Sequence, residues 1–90
     1  MYRILKEDSF SDDLKNVKDD KSRENIKNKV LEIANILENN PAHFKNLRKP
    51  LQKYKRAHVN KCYVIIFSVD SFKKTVTFYY YRHHDDVYNI

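Results

Sequence analysis

Cys62-Tyr63-Val64-Ile65-Ile66-Phe67-Ser68-Val69 and Thr75-Val76-Thr77-Phe78-Tyr79-Tyr80-Tyr81 decide the fold, with residues 70–74 as the turn between them. Both runs are β-branched and aromatic without polar alternation, the pattern of central strands covered on both faces. Just upstream, residues 54–59 alternate. A side-chain period of two places Tyr54, Arg56 and His58 on one side of a strand and Lys55, Ala57 and Val59 on the other. Asn60-Lys61 is a two-residue turn signal, since Asn tolerates the left-handed region.

Further toward the amino end the period changes. Residues 2–6 form a short alternating strand. Asp8 or Ser9 caps a first helix, whose apolar positions Phe10, Leu14 and Val17 are spaced by four and three. Asp19-Asp20 opens a longer helix with Ile26, Val30, Ile33 and Leu37 in a stripe widened by Leu31, Ala34 and Ile36. Asn39-Asn40-Pro41 stops it, because proline cannot continue a helix. The two helices are predicted to form an antiparallel hairpin joined near residues 17–20. From Pro41 to Lys53 the chain reads as an irregular basic connection with one turn of helix at residues 44–47. The predicted order is β-α-α-β-β-β, an α+β fold: an antiparallel sheet with the helical hairpin packed on one face.

Ninety residues hold one modest core, so a single domain is expected over residues 1–90. No apolar stretch approaches the roughly 20 residues that cross a bilayer, and residues 1–13 lack the basic-then-apolar order of a signal peptide, so a cytoplasmic location without membrane contact is expected. The chain has no glycine, which excludes Gly-rich phosphate loops and dinucleotide fingerprints and leaves Asn or Asp to take positive φ. The lone Cys62, inside an apolar run, reads as a buried small hydrophobe. Charge is segregated. Residues 39–69 carry seven Lys or Arg and no acid, whereas the flanking segments are nearly balanced. Lys45, Arg48, Lys49, Lys53, Lys55, Arg56 and Lys61, with His43 and His58 among them, make a focused positive surface suited to a polyanion.

Three local patterns in this order resemble the RelE/ParE toxin superfamily across nearly the whole chain. Phe44-Lys45-Asn46-Leu47-Arg48-Lys49-Pro50-Leu51 is similar to the family's approach to its second strand. Tyr54-Lys55-Arg56-Ala57-His58-Val59-Asn60 resembles an aromatic-x-Arg-x-Arg/His-Val-Gly pattern, with Asn60 in place of the usual Gly. Residues 76–88, ending in Tyr81-Arg82-His83-His84-Asp85-Asp86-Val87-Tyr88, resemble a last strand followed by a histidine-bearing end. One departure stands out: many ribonuclease members carry Arg where this chain has Val64.

The resemblance implies a RelE-like toxin of a type II toxin-antitoxin system, an endoribonuclease that cuts mRNA, in the ribosomal A site, by attack of the RNA's own 2′-hydroxyl. It implies no cofactor and no metal. Implied partners are a cognate antitoxin and mRNA, with the free toxin a monomer. Histidine suits proton transfer near neutrality and arginine suits phosphate oxygens. The candidate catalytic residues are therefore Arg56, His58, Arg82, His83, His84 and Tyr88, with Asp85 orienting one imidazole; the candidate RNA-binding residues are Lys45, Arg48, Lys49, Lys53, Lys55 and Lys61. Most of Tyr79, Tyr80 and Tyr81 are expected to serve the core rather than stack on bases. His83-His84-Asp85-Asp86 with His58 offers metal-type donors, but adjacent ligands are awkward and the spacing matches no standard zinc motif. Two alternatives stay open: a ParE-like gyrase poison without nuclease activity, and a degenerate toxin that only binds its antitoxin.

Overall fold

The two apolar runs form the centre of one four-stranded sheet. A computed structural model, which describes residues 2–89, gives β1 (Arg3–Lys6), α1 (Asp8–Lys15), α2 (Asp20–Asn39), β2 (Lys55–Val59), β3 (Tyr63–Asp70), β4 (Thr75–His83) and a closing 3₁₀ helix (His84–Asn89). The strand order is β1-β4-β3-β2. β2, β3 and β4 make the expected antiparallel meander, but β1 pairs parallel with β4, so the sheet is mixed rather than wholly antiparallel. The reason is topological: the helical crossover leaves β2 running in the direction of β1, and the two antiparallel turns of the meander return β4 to that direction beside β1.

Each face of the sheet has its own core. Ala57, Val59, Ile65, Phe67, Val76, Phe78 and Tyr81 pack with Phe10 of α1 and with Ile26, Val30, Ile33 and Leu37 of α2. Phe10, Ile33, Leu37, Phe67 and Phe78 are fully buried, each contributing on the order of 1.5–3 kcal/mol. Opposite them, Val64 and Ile66 lie under Leu47, Tyr54 and Val87, supplied by the basic connection and the 3₁₀ helix. The central strands are thus covered on both faces, thickly by helices on one and thinly by irregular chain on the other. Among the described residues no helix is long and apolar enough to cross a membrane.

Several local expectations are corrected. α1 starts at Asp8 without a side-chain cap, because Ser9 Oγ donates instead to the Tyr79 carbonyl at 2.6 Å. α2 is capped as its sequence predicts, with Asp19 accepting from the Ser22 N–H and hydroxyl. The turn of helix expected at residues 44–47 is absent; Asn46 instead makes an isolated bridge to Lys55. Positive φ falls on Asn60, as expected, but also on Lys61 and Lys74, where no Asn or Asp is available. Asn60 is also a tie, its side chain meeting Asn25, the Ser22 carbonyl and the Tyr81 hydroxyl. Cys62 is exposed, not buried, because it lies beside that turn before β3 enters the core.

Candidate functional site

The thinly covered face is where the basic residues converge. Arg56 and His58 point from it by the pleat of β2, and Tyr54, two residues earlier, is buried as part of its core. Lys45, Asn46, Leu47 and Arg48 form one wall of a groove of about 320 Å³, Arg56 and His58 its floor, and Tyr88 the opposite wall. No carboxylate lines it. Val87 positions Tyr88 by burying itself in the small core against Val64 and Ile66. Val64 is fully buried in that core, so the groove takes its charge from Lys45, Arg48 and Arg56.

Tyr88 and Arg48 are coupled. The Arg48 backbone N–H donates to the Tyr88 hydroxyl oxygen at 3.0 Å and its Nε does so at 3.5 Å, with the guanidinium carbon 4.9 Å from the ring centroid. These two hydrogen bonds, backbone first, hold the phenol below the ordinary tyrosine range, and the charges of Arg48 and Arg56 act in the same direction. The result is an acidified hydroxyl beside two guanidinium groups and an imidazole.

The remaining predicted site residues divide. Arg82 emerges on the groove face of β4, across Val64 from His58, but runs to the sheet edge, where its Nε meets Asp13 Oδ2 at 2.9 Å and its guanidinium lies over Tyr80. His83 falls on the helix side and, with Arg82, Tyr63 and Tyr81, lines a cleft against the α1–α2 connection. His84 follows β4 as the first residue of the 3₁₀ helix, outside the groove lining, its N–H donating to the Cys62 carbonyl at 2.8 Å. His83 and His84 stack with ring centroids 4.6 Å apart, and the Asp85 carboxylate lies 3.0 Å from His84 Nδ1 while its N–H donates to His83 Nδ1. Lys55 is on the helix-side face and is spent on structure, donating to the Phe44 carbonyl and Asn46 Oδ1. Lys49, Lys53 and Lys61 are exposed outside the groove lining, with Lys53 Nζ over the Tyr54 ring. Of the three tyrosines, Tyr81 is buried with the helix-side core, while Tyr79 and Tyr80 pack against the smaller one.

Sequence reading passed over Asp13, which holds both Arg82 and the Tyr81 N–H, because it is one of several acids on a short polar helix. An apolar cleft of about 370 Å³ between β1, α1 and α2 is lined by no imidazole, thiol or carboxylate.

No family model matches the chain. It is 44% identical over 59 residues to a protein of Methanocaldococcus jannaschii that carries the toxin name RelE4, a match spanning 66% of this chain and 63%, a little under two thirds, of that relative. It is 39% identical over 59 residues to an uncharacterized protein of Methanosarcina mazei, covering 66% of this chain and 69% of the other. Among solved structures it is similar to the toxin of the RelB-RelE antitoxin-toxin complex from Methanococcus jannaschii, with a TM-score of 0.64 and 26% identity over 94% of this chain and 95% of that one.

Proposed function

The chain belongs to the RelE-like toxin superfamily, and from that premise we propose that it is an mRNA endoribonuclease silenced by a cognate antitoxin. The observation that carries this reading is the carboxylate-free groove in which Arg48, Arg56, His58 and Tyr88 converge. A phosphodiester seated there meets cationic donors on its non-bridging oxygens and groups able to move protons on either side.

In the proposed reaction the 2′-hydroxyl of the RNA attacks the adjacent phosphorus. Its proton passes to an imidazole, the bond to the 5′-oxygen breaks, and that oxygen takes a proton as it leaves. The products are a 2′,3′-cyclic phosphate upstream and a 5′-hydroxyl downstream. His58, which lines the groove, and His84, at the end of the sheet beyond it, are the proposed proton-transfer pair, each worth on the order of 10²–10⁴ in rate. Arg48 and Arg56 bind the charge developing on phosphorus, and Tyr88 holds the Arg48 guanidinium over the groove. His83, which lines the cleft against the α1–α2 connection, has no step, and Arg82, paired with Asp13, supports the strand. The exposed Lys49, Lys53 and Lys61 extend the positive field for mRNA at the ribosome and for an acidic antitoxin segment.

Expression of the chain without an antitoxin tests this reading. Translational arrest with mRNA fragments is the expected result, and Arg56→Ala or His58→Gln should each lower cleavage about 10²-fold or more in a folded protein. Arrest without fragments removes the nuclease assignment, and DNA damage in their place moves the chain to the gyrase-poisoning class.

A further inference from the structure

The end of the sheet holds a cluster that the proposed RNA chemistry does not require as a unit. One ligand atom each from Cys62, His83 and His84 lies within 4.8 Å of the others. We propose that these three side chains form a zinc site.

The fold brings them together from two strands. The left-handed turn at Asn60 and Lys61 delivers Cys62 to the mouth of β3, where its N–H donates to the Asn60 carbonyl at 2.8 Å. The hydrogen bond from the His84 N–H to the Cys62 carbonyl then locks the backbones of two ligands side by side. His83 joins from the neighbouring position, its ring stacked on that of His84, and ligates by exchanging the 3.2 Å hydrogen bond that its Nδ1 accepts from the Asp85 N–H for the metal. Two ligands thus stand on paired backbone, the kind of support a metal site needs. Cys62 lies 21 and 22 residues from the two histidines, a spacing that matches no standard zinc motif.

The donor set selects the metal. One thiolate and two imidazoles suit zinc, which takes S and N ligands in tetrahedral geometry. Bond lengths of about 2.0–2.3 Å put ligand atoms roughly 3.3–3.8 Å apart, so the cluster must close by about 1 Å. The partly exposed side chains have room for that. As the Zn–S bond forms, the Cys62 thiol gives its proton to solvent. Asp85, whose carboxylate is 3.0 Å from His84 Nδ1, can accept that ring's N–H and leave Nε2 free for the metal, the outer-shell arrangement common to zinc histidines. Water completes the fourth position. The site itself rests on this geometry alone; only its consequence rests on the proposed nuclease. A metal on His84 would occupy the lone pair that the cleavage reaction uses, so zinc would inhibit.

The test uses the purified, metal-free chain with Co²⁺ and Zn²⁺ alone, without RNA. Co²⁺ should bind one to one with tetrahedral visible bands and a thiolate charge-transfer band, both lost when Zn²⁺ displaces it. Cys62→Ser should abolish the thiolate band, and His84→Gln should weaken binding by more than the roughly 10–100-fold that an outer-shell loss costs. Because Cys62 is the only cysteine, alkylation of the wild-type thiol reads the same site without any variant: bound Zn²⁺ should protect it. Octahedral cobalt bands with no thiolate band, or an alkylation rate indifferent to Zn²⁺, would overturn the proposal. Either result would leave the nuclease reading untouched.

Discussion

Tyr88 shows how a residue outside the sheet acquires chemistry from the chain it touches. Its hydroxyl oxygen accepts from the Arg48 N–H and guanidinium, and both bonds favour the phenolate. Its folded pKa is lowered, so the linked stability is fully present above the unfolded value near 10 and is lost as pH falls through the lower folded value. A spectrophotometric titration should therefore show one tyrosine ionising ahead of the others, and Arg48→Leu should move it upward while leaving the backbone bond in place. A Tyr88 that titrates with the rest, or an unmoved one in Arg48→Leu, would contradict the coupling. The sequence placed Arg48 and Tyr88 among the candidates, but 40 residues apart, and no periodicity relates them. Their meeting is a product of tertiary structure, because Val87 must find the core before Tyr88 can reach the wall.

At the scale of the element, the edge of β4 is shared. β1 covers it from Thr75 to Phe78; beyond that, the polar side chains of α1 take over, with Ser9 on the Tyr79 carbonyl and Asp13 on the Tyr81 N–H. Between these contacts Ile66 pairs with Tyr80 and Phe67 with Phe78, which leaves Tyr79 unopposed as a bulge. The bulge explains why Tyr79 and Tyr80 both pack with the smaller core while Phe78 and Tyr81 face the helices. Such a shift is invisible in a run of seven apolar and Thr residues, whose strand character is nevertheless plain. Asp13→Ala should cost roughly 1–3 kcal/mol, since it strips an acceptor from a strand-edge N–H and a partner from Arg82. Asp13→Asn, which keeps an acceptor, should cost less. Denaturant midpoints measure this, and an unchanged midpoint in Asp13→Ala would show that α1 does not secure the edge.

At the scale of the whole molecule, the sheet separates the larger core from the basic groove. Helices and their larger core fill one face, and the other is covered only by the basic connection and the 3₁₀ helix, which leaves Arg56 and His58 open beside Tyr88. The order of elements and the face carrying Arg56 and His58 were legible because they depend on local periodicity. The parallel partnership of β1, the exposure of Cys62 and the diversion of Arg82 to Asp13 were not, since each depends on which distant segment arrives alongside. Charge segregation was the most transferable signal: the acid-free stretch supplies Lys45, Arg48, Arg56 and His58 to one carboxylate-free groove. The central claim is that this groove breaks RNA through the substrate's own 2′-hydroxyl. Its most direct test is the end chemistry of fragments made by the purified chain, with ribosomes supplied, compared with those from a folded His58→Gln variant. The account requires 2′,3′-cyclic phosphate and 5′-hydroxyl ends that form about 10²-fold or more slowly in the variant; 5′-phosphate ends, or equal rates, would contradict it.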